Sequence, residues 1–194
     1  MLKKLSKKYN IILGSASPRR KELLSDINLK FSIQTSNEEE TFSCSLIEEE
    51  IAEFLAKQKS KFLTEKLQQN DLLITADTIV SFNNELLNKP KNKKEAFETL
   101  SKLSKNTHKV ITGVCLKSKN KEIIFSVTTM VTFKELSENE IYHYINKYNP
   151  YDKAGAYGIQ DWIGKIGINN INGSYTNVVG LPISELYQHL KLFI

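Results

Sequence analysis

The 194-residue sequence lacks the features that mark membrane proteins, secreted proteins and zinc-binding modules. No apolar run approaches the roughly 20 residues that a membrane-spanning helix needs, and the apolar part of the first residues is too short for a signal peptide. The two cysteines, Cys44 and Cys115, are far apart, and the three histidines are isolated. These shortages argue against a disulfide scaffold, a zinc site and a membrane partner, and we expect a cytoplasmic protein.

The sequence also lacks the two commonest nucleotide-binding loops. It contains neither GxGxxG nor GxxxxGK[ST], so it predicts neither a dinucleotide-binding fold nor a P-loop. Its net charge is +5, from 27 Lys and Arg against 22 Asp and Glu, but the lysines are spread over nearly every segment. Because no stripe of basic and aromatic residues occurs, we do not expect nucleic-acid binding, although the charge can attract a polyanionic substrate.

The stretch IILGSASPRRKELL, residues 11–24, predicts a buried strand, a tight loop and the start of a helix. Ser17 is a good N-cap, and Pro18 suits the first helical position, where a backbone N–H has no intrahelical partner. Such a junction can bind an anion through backbone N–H groups and the helix dipole, here with Ser15, Arg19 and Arg20 close by. An ordinary turn with solvated arginines remains the alternative.

A carboxylate interrupts the strongest predicted strand, Asp71–Phe82. The strand reads as a central one covered on both faces, and a charged Asp77 inside it is expensive unless it is paired or binds a metal. An acidic loop at Glu38–Glu40 offers further metal-binding oxygens or is simply a solvated turn. Together with lysines such as Lys59 and Lys89, these carboxylates are what a metal-dependent enzyme acting on phosphate esters requires.

The order of the remaining elements predicts an α/β protein with a mixed sheet flanked by helices. Two strands at residues 107–116 and 122–133 form an evident hairpin, so the sheet contains antiparallel pairs and is not doubly wound. We also predict a final hairpin from residues 166–171 and 175–180 around Asn172 and Gly173. The glycine-rich residues 151–160 suit either close approach to a ligand or a tight connection.

Six separated segments resemble the Maf-type nucleoside triphosphate pyrophosphatases, also called septum formation inhibitor proteins. They occur in the family's order over nearly the whole chain and read SASPRRKELL at 15–24, ADTIV at 76–80, NKP at 88–90, THKVITG at 107–113, DKAGAYGIQ at 152–160, and INGSY with VGLP at 171–182. The resemblance implies a Maf/ITPase-like α/β fold rather than a doubly wound Rossmann fold. It also implies one domain, residues 1–194, which can have two lobes with the active-site cleft between them.

The resemblance further implies hydrolysis of a nucleoside triphosphate to a monophosphate and pyrophosphate, with Mg²⁺ or Mn²⁺. Asp77 matches the residue that activates water or holds the metal, and Glu39 and Glu40 match the family's acidic pair, with a register that leaves Glu38 open. Substrate-binding residues carry over as the phosphate-directed Ser15, Ser17, Lys59 and Lys89 and the base-reading Arg19, Thr78 and Gln160. Arg20 is either a further phosphate-binding residue or a structural partner. This last set resembles the branch that acts on dTTP and UTP.

Two residues depart from the family pattern: Asp161 replaces a glycine beside Gln160, and Gly14 replaces an alanine. We expect the change at Gly14 to be harmless, whereas Asp161 adds a carboxylate beside a base-reading residue. Family membership also implies a homodimer and roles in clearing non-standard nucleotides and in cell-division arrest. The alternative is a non-catalytic regulatory or nucleic-acid-binding protein.

Overall fold

The computed structural model describes residues 1–36 and 47–194. The α-helices are α1 Leu2–Lys8, α2 Pro18–Asp26, α3 Glu48–Thr64, α4 Lys93–Leu103, α5 Glu138–Tyr148, α6 Trp162–Gly167, α7 Tyr175–Val179 and α8 Ile183–Leu190, and short 3-10 helices span Pro150–Asp152, Ala154–Ala156 and Lys191–Phe193. The strands are β1 Asn10–Leu13, β2 Ser32–Ile33, β3 Asp71–Phe82, β4 Glu85–Leu86, β5 Thr107–Lys117, β6 Glu122–Phe133 and β7 Ile168–Asn172. Within these residues, no helix is both long enough and apolar enough to cross a membrane.

The strands form one mixed sheet in the order β2-β1-β3-β5-β6-β7, with β4 paired to β3. Strand β1 runs parallel to both β2 and β3, whereas β4 is antiparallel to β3 and β7 is antiparallel to β6. Neighbouring strands β5 and β6 are joined by a tight turn in which the Ser118 N–H donates to the Lys121 carbonyl at 2.8 Å. The predicted α/β class, with a mixed rather than doubly wound sheet, is confirmed.

The chain forms two compact units, each with its own core. Unit 1 comprises Met1–Asp77, Thr112–Val127 and Gly180–Ile194, and unit 2 comprises Thr78–Ile111 and Thr128–Val179. In unit 1, α2 and α8 bury leucines against apolar residues of β1 and β3, such as Leu13 and Ile74. In unit 2, α4 and α5 contribute Leu100 and Tyr144 to a core that also holds Phe133 of β6.

The predicted final hairpin is wrong. Strand β7 pairs with β6, with Ile171 opposite Val131, and residues 175–179 form the short helix α7. The reason is a polar network that the sequence pattern does not reveal. The Ser174 hydroxyl accepts the Asn177 N–H at 3.2 Å, and the buried Asn177 carboxamide donates to the Val110 carbonyl and to Thr129 Oγ1 at 3.0 and 2.9 Å. A helical turn is what brings Asn177 inward to make these bonds.

A buried histidine in the core of unit 2 makes stability depend on pH. His108 is 1% exposed, its Nε2 lies 2.8 Å from the Tyr157 hydroxyl, and its ring stacks on Phe133. Burial disfavours the charged imidazolium and lowers the pKa of His108 to about 4 from an ordinary 6.5. Folding therefore favours the neutral ring, and this contribution is complete above pH 6.5 and is lost as the pH falls toward 4.

We expect acidification from pH 7.5 to pH 5 to remove about 2 kcal/mol of unfolding free energy through His108. Urea unfolding at a series of pH values measures this loss. His108→Phe is expected to be less stable at neutral pH but to lack this acid-dependent loss, because its ring does not titrate. His143→Gln, which changes an exposed histidine, should retain it. Equal acid dependence in the His108→Phe variant and the wild type would contradict the assignment.

Candidate active site

The junction between β1 and α2 has the predicted strand, loop and capped helix. Ser17 is the N-cap of α2, with its hydroxyl accepting the Arg20 N–H at 3.5 Å, and Pro18 occupies the first helical position. The Ser17 N–H in turn donates to Ser15 Oγ at 3.3 Å. A Cβ on Gly14 would lie 2.5 Å from the Thr75 methyl group of β3, so the glycine at this position suits the tight packing.

Arg20 is a buried structural residue of this junction. It is 8% exposed, its Nε donates to the Gly180 carbonyl at 2.8 Å, and its Nη1 donates to Ser15 Oγ at 3.2 Å. The guanidinium thus ties the loop after β1 to the segment that precedes α8. Since Ser15 Oγ accepts from both Ser17 and Arg20, its own hydrogen is available to a further acceptor. Arg19, the neighbouring arginine, is only half-buried.

An ion pair lies inside unit 1, where α3 covers β3. Lys59 Nζ is 2.5 Å from Asp77 Oδ1, and the two side chains are only 20% and 16% exposed. The Thr75 hydroxyl donates to the Ala56 carbonyl at 2.7 Å, which fixes the helix against the strand one turn away from Lys59. The carboxylate in the central strand is therefore paired, and charge-assisted bonds of this kind are stronger than neutral ones.

A cavity of about 190 Å³ opens beside this ion pair. It is lined by Gly14, Ser15, Ala16, Thr35, Ser36, Lys59, Phe62 and Leu63. The loop residues among them follow the carboxyl ends of the parallel strands β1 and β2, the edge of an α/β sheet at which ligands characteristically bind. The cavity thus joins a hydroxyl of the β1–α2 loop to the ammonium of Lys59, and can bind a polar, negatively charged group.

Sequence reasoning missed part of this cavity lining. Thr35, Ser36 and Phe62 were not predicted as site residues, although Thr35 and Ser36 come directly after a strand that lies parallel to β1. Their hydroxyls at that edge of the sheet were the available signal. Strand β2 is only two residues long, Ser32–Ile33, which places these hydroxyls in the loop beyond it.

The other predicted site residues belong to unit 2. Thr78 follows Asp77 in β3, and Lys89 is an exposed residue just before the buried Pro90. Gln160 is half-buried, and its Oε1 is buried and makes no hydrogen bond among the described residues. A buried carbonyl oxygen without a donor costs free energy, so Gln160 carries an acceptor that no group of the described residues satisfies.

The predicted metal ligands are only partly within the described chain. Glu39 and Glu40, and the alternative Glu38, lie outside the described residues. Within 1–36 and 47–194, no group of three or more His, Cys, Asp or Glu side chains is placed to hold a metal ion. The Asp77 bond to Lys59 uses Oδ1, so Oδ2 remains as a hard oxygen ligand, and Mg²⁺ commonly binds through one or two carboxylates and substrate phosphates. Asp77 therefore fits a divalent cation.

Comparison with known proteins places this chain in a family. The Maf-like protein family matches residues 10–193. The dTTP/UTP pyrophosphatase of Flavobacterium psychrophilum is 50% identical over 190 residues, covering 98% of this chain and 97% of that protein. The proteins of the same name from Phocaeicola vulgatus and Parabacteroides distasonis are 50% and 47% identical, covering 98% and 96% of this chain and 99% and 97% of their own lengths.

A solved structure of lower similarity is a nucleoside-triphosphatase (dITP/XTP pyrophosphatase) from Mycobacterium abscessus, with a TM-score of 0.46 and 11% identity, covering 95% of this chain and 98% of that chain. The family assignment depends instead on the match to residues 10–193 and on relatives at about half identity over the full chain. The chain belongs to the Maf-like protein family.

Proposed function

We propose that this protein is a nucleoside triphosphate pyrophosphatase that hydrolyses dTTP and UTP to the monophosphate and pyrophosphate. The observation that carries the proposal is the half-buried Lys59–Asp77 pair beside a cavity lined by the Ser15 hydroxyl. A carboxylate, an ammonium and a hydroxyl donor at one place are suited to an anionic phosphate chain and an attacking water. The names of relatives at about half identity supply the substrate class.

Each side chain of this group has a defined task. Asp77 accepts a proton from a water molecule while the oxygen of that water forms a bond to the α-phosphorus. The bond from the α-phosphorus to the oxygen that bridges it to the β-phosphorus breaks, and pyrophosphate leaves. Lys59 neutralises charge on the phosphates and orients Asp77, and Ser15 donates its hydrogen to a phosphate oxygen. The N–H groups at the start of α2, capped by Ser17, add positive potential. Lys89 supplies a further cation.

We assign a divalent cation, Mg²⁺ or Mn²⁺, to Asp77 together with Glu39 and Glu40. When bound, such a cation neutralises the charge that develops on the phosphate oxygens and lowers the pKa of a bound water. We also propose that residues 1–194 act as one catalytic domain, in the cytoplasm and as a homodimer. Clearance of non-standard nucleotides and a part in cell-division arrest are roles compatible with that activity.

Base selection is assigned to Arg19, Thr78 and Gln160. Thymine and uracil expose two carbonyl acceptors and one imide N–H, which a guanidinium, a hydroxyl and a carboxamide can satisfy together. The Oε1 of Gln160, which makes no hydrogen bond within residues 1–36 and 47–194, supports this assignment, because the imide N–H would supply a donor. A site of this type rejects other bases strongly, since a wrong base leaves buried polar groups unpaired.

A panel of nucleoside triphosphates tests the proposal directly. Pyrophosphate release is measured for dTTP, UTP, CTP, dATP and GTP with Mg²⁺ and with Mn²⁺, and turnover should favour dTTP and UTP. Equal turnover of all five nucleotides would remove the specificity claim, and turnover of none would remove the enzymatic one. A non-catalytic regulatory or nucleic-acid-binding protein would instead retain its cellular effect when Asp77 is changed to Asn.

Alanine substitutions of the two adjacent arginines, Arg19 and Arg20, are expected to change the kinetics in different ways. Arg20→Ala releases Ser15 and the segment at Gly180, so we expect kcat/KM to fall by about a hundredfold for every nucleotide. Arg19→Ala should instead reduce the preference for dTTP over GTP, because the lost guanidinium pairs with the base. Steady-state kinetics with both nucleotides separate these results. Equal losses for both nucleotides in both variants would mean that both arginines serve the phosphates.

A further inference from the structure

Gln160, one of the three residues assigned to base selection, lies in a turn whose first and last residues both bond to the Tyr144 hydroxyl. Residues Gly158 to Asp161 form a turn closed by the Asp161 N–H, which donates to the Gly158 carbonyl at 3.0 Å. The Tyr144 hydroxyl accepts the Gly158 N–H at 3.0 Å and donates to Asp161 Oδ2 at 2.7 Å. A single phenolic oxygen therefore holds both the first and the last residue of the turn that carries Gln160.

Tyr144 is well placed to keep this turn rigid. It lies on α5, its side chain is fully buried in the core of unit 2, and its ring stacks on Tyr148. Burial, and next the bond to Asp161, raise the pKa of the Tyr144 hydroxyl far above its ordinary value, so it remains a donor. Asp161 also has Lys153 Nζ at 3.9 Å from Oδ2, which compensates its charge.

Close packing surrounds two further residues of the turn, Ile159 and Gly158. Ile159 is buried, and its carbonyl oxygen would be 1.9 Å from a Cβ at Gly164 of α6, so glycine there allows the helix to lie directly on the turn. Gly158 is similarly close to its neighbours: a Cβ there would lie 2.6 Å from Asp161 Oδ2 and 3.1 Å from Gln160 Nε2. The amide nitrogen of Gln160 therefore lies close to Gly158, whose backbone N–H donates to the Tyr144 hydroxyl.

Fixing this carboxamide matters because an unrestrained one cannot tell uracil from cytosine. Uracil presents an imide N–H donor beside a carbonyl acceptor, whereas cytosine presents a ring-nitrogen acceptor beside an amino donor. A glutamine amide that rotates by half a turn pairs with either pattern, since it carries one acceptor and one donor group. Selection of uracil and thymine over cytosine therefore requires a device that holds the amide in one orientation.

We propose that Tyr144 is a positioning residue for base selection: by holding both ends of the Gly158–Asp161 turn, its hydroxyl keeps the Gln160 carboxamide oriented to accept the imide N–H and to reject cytosine. This inference rests on the proposed function, in which Gln160 reads the base. It also gives Asp161 a role, because the carboxylate that replaces the family's usual glycine is the acceptor for the Tyr144 hydroxyl.

Tyr144→Phe tests the inference because it removes one oxygen atom and leaves the ring. We expect the ratio of kcat/KM for UTP to that for CTP to fall about tenfold, while kcat for UTP changes by less than about threefold. Tyr148→Phe removes a phenolic oxygen from the adjacent ring of the same helix and should leave the ratio unchanged. If Tyr144→Phe does not fold, Asp161→Ala removes the acceptor from the other side and should lower the same ratio.

Gln160→Ala distinguishes failure of this inference from failure of the proposed function. If Gln160→Ala lowers the ratio of kcat/KM for UTP to that for CTP and Tyr144→Phe does not, Tyr144 has no part in base selection. The inference is then overturned, while the proposed function stands. A Tyr144→Phe variant that loses activity equally for both nucleotides also overturns it, since a purely structural role has that effect. If Gln160→Ala leaves the ratio unchanged, the assignment of Gln160 to the base fails first.

Discussion

Asp77→Asn is expected to lower pyrophosphate release from dTTP by about a thousandfold while the protein remains folded. Asparagine has the shape of aspartate, and its carbonyl oxygen can still accept the bond that Asp77 Oδ1 accepts from Lys59. The variant therefore preserves the packing of β3 under α3. It removes the negative charge, and with it the capacity to take a proton from water and to hold a divalent cation.

Saturating and subsaturating dTTP, with Mg²⁺ and with Mn²⁺, separate loss of kcat from loss of binding. We expect the loss mainly in kcat, because the role proposed for Asp77 is toward water and the metal rather than toward the base. Glu85→Gln is the matched control: Glu85 also pairs with a lysine, Lys102, but at an exposed surface position. It should retain full activity. An Asp77→Asn variant that hydrolyses dTTP at the wild-type rate would remove Asp77 from the catalytic group.

Local patterns predicted the parts of this site that depend on neighbouring residues. The bounds of β3 and the capped start of α2 agree with the sequence, because a long apolar run and a Ser-Pro pair leave little choice of conformation. The contact between Lys59 and Asp77 was not predictable as such, since the two residues are 18 positions apart and other lysines on α3 have the same local sequence signal. Lys59, rather than another lysine of α3, reaches Asp77 because of its position on the helix relative to β3.

Long-range hydrogen bonds also explain why the predicted final hairpin was wrong. The segment at 175–179 has the apolar and β-branched residues of a strand, but Asn177 is buried and bonds to Val110 and Thr129, which are 67 and 48 positions away. A pattern of local hydrophobicity carries no information about such partners. The same limit applies to Tyr144, whose hydroxyl bonds to Gly158 and Asp161 from another helix and whose ring alone looks like an ordinary core residue.

Lys59→Met is expected to lower kcat/KM for dTTP by about a hundredfold. Methionine keeps an unbranched chain of similar length to pack beside Phe62 and Leu63, so the cavity wall retains most of its apolar contacts. The ammonium group is what the variant loses, and two effects follow. The phosphates lose a neutralising charge, and the Asp77 carboxylate loses the bond that orients it.

The identity of the substituting residue separates charge from packing. Lys59→Arg restores a positive charge with a different shape and should recover part of the activity, whereas a residue needed only for packing would give equal activity in the Met and Arg variants. Lys61→Met, an exposed position on the same helix, is the matched control and should behave as the wild type. Pyrophosphate release measured over a range of dTTP concentrations makes the comparison. If Lys59→Met retained full kcat/KM, the ammonium beside Asp77 would serve stability alone, and the phosphate charge would have to be met by Lys89 and the divalent cation.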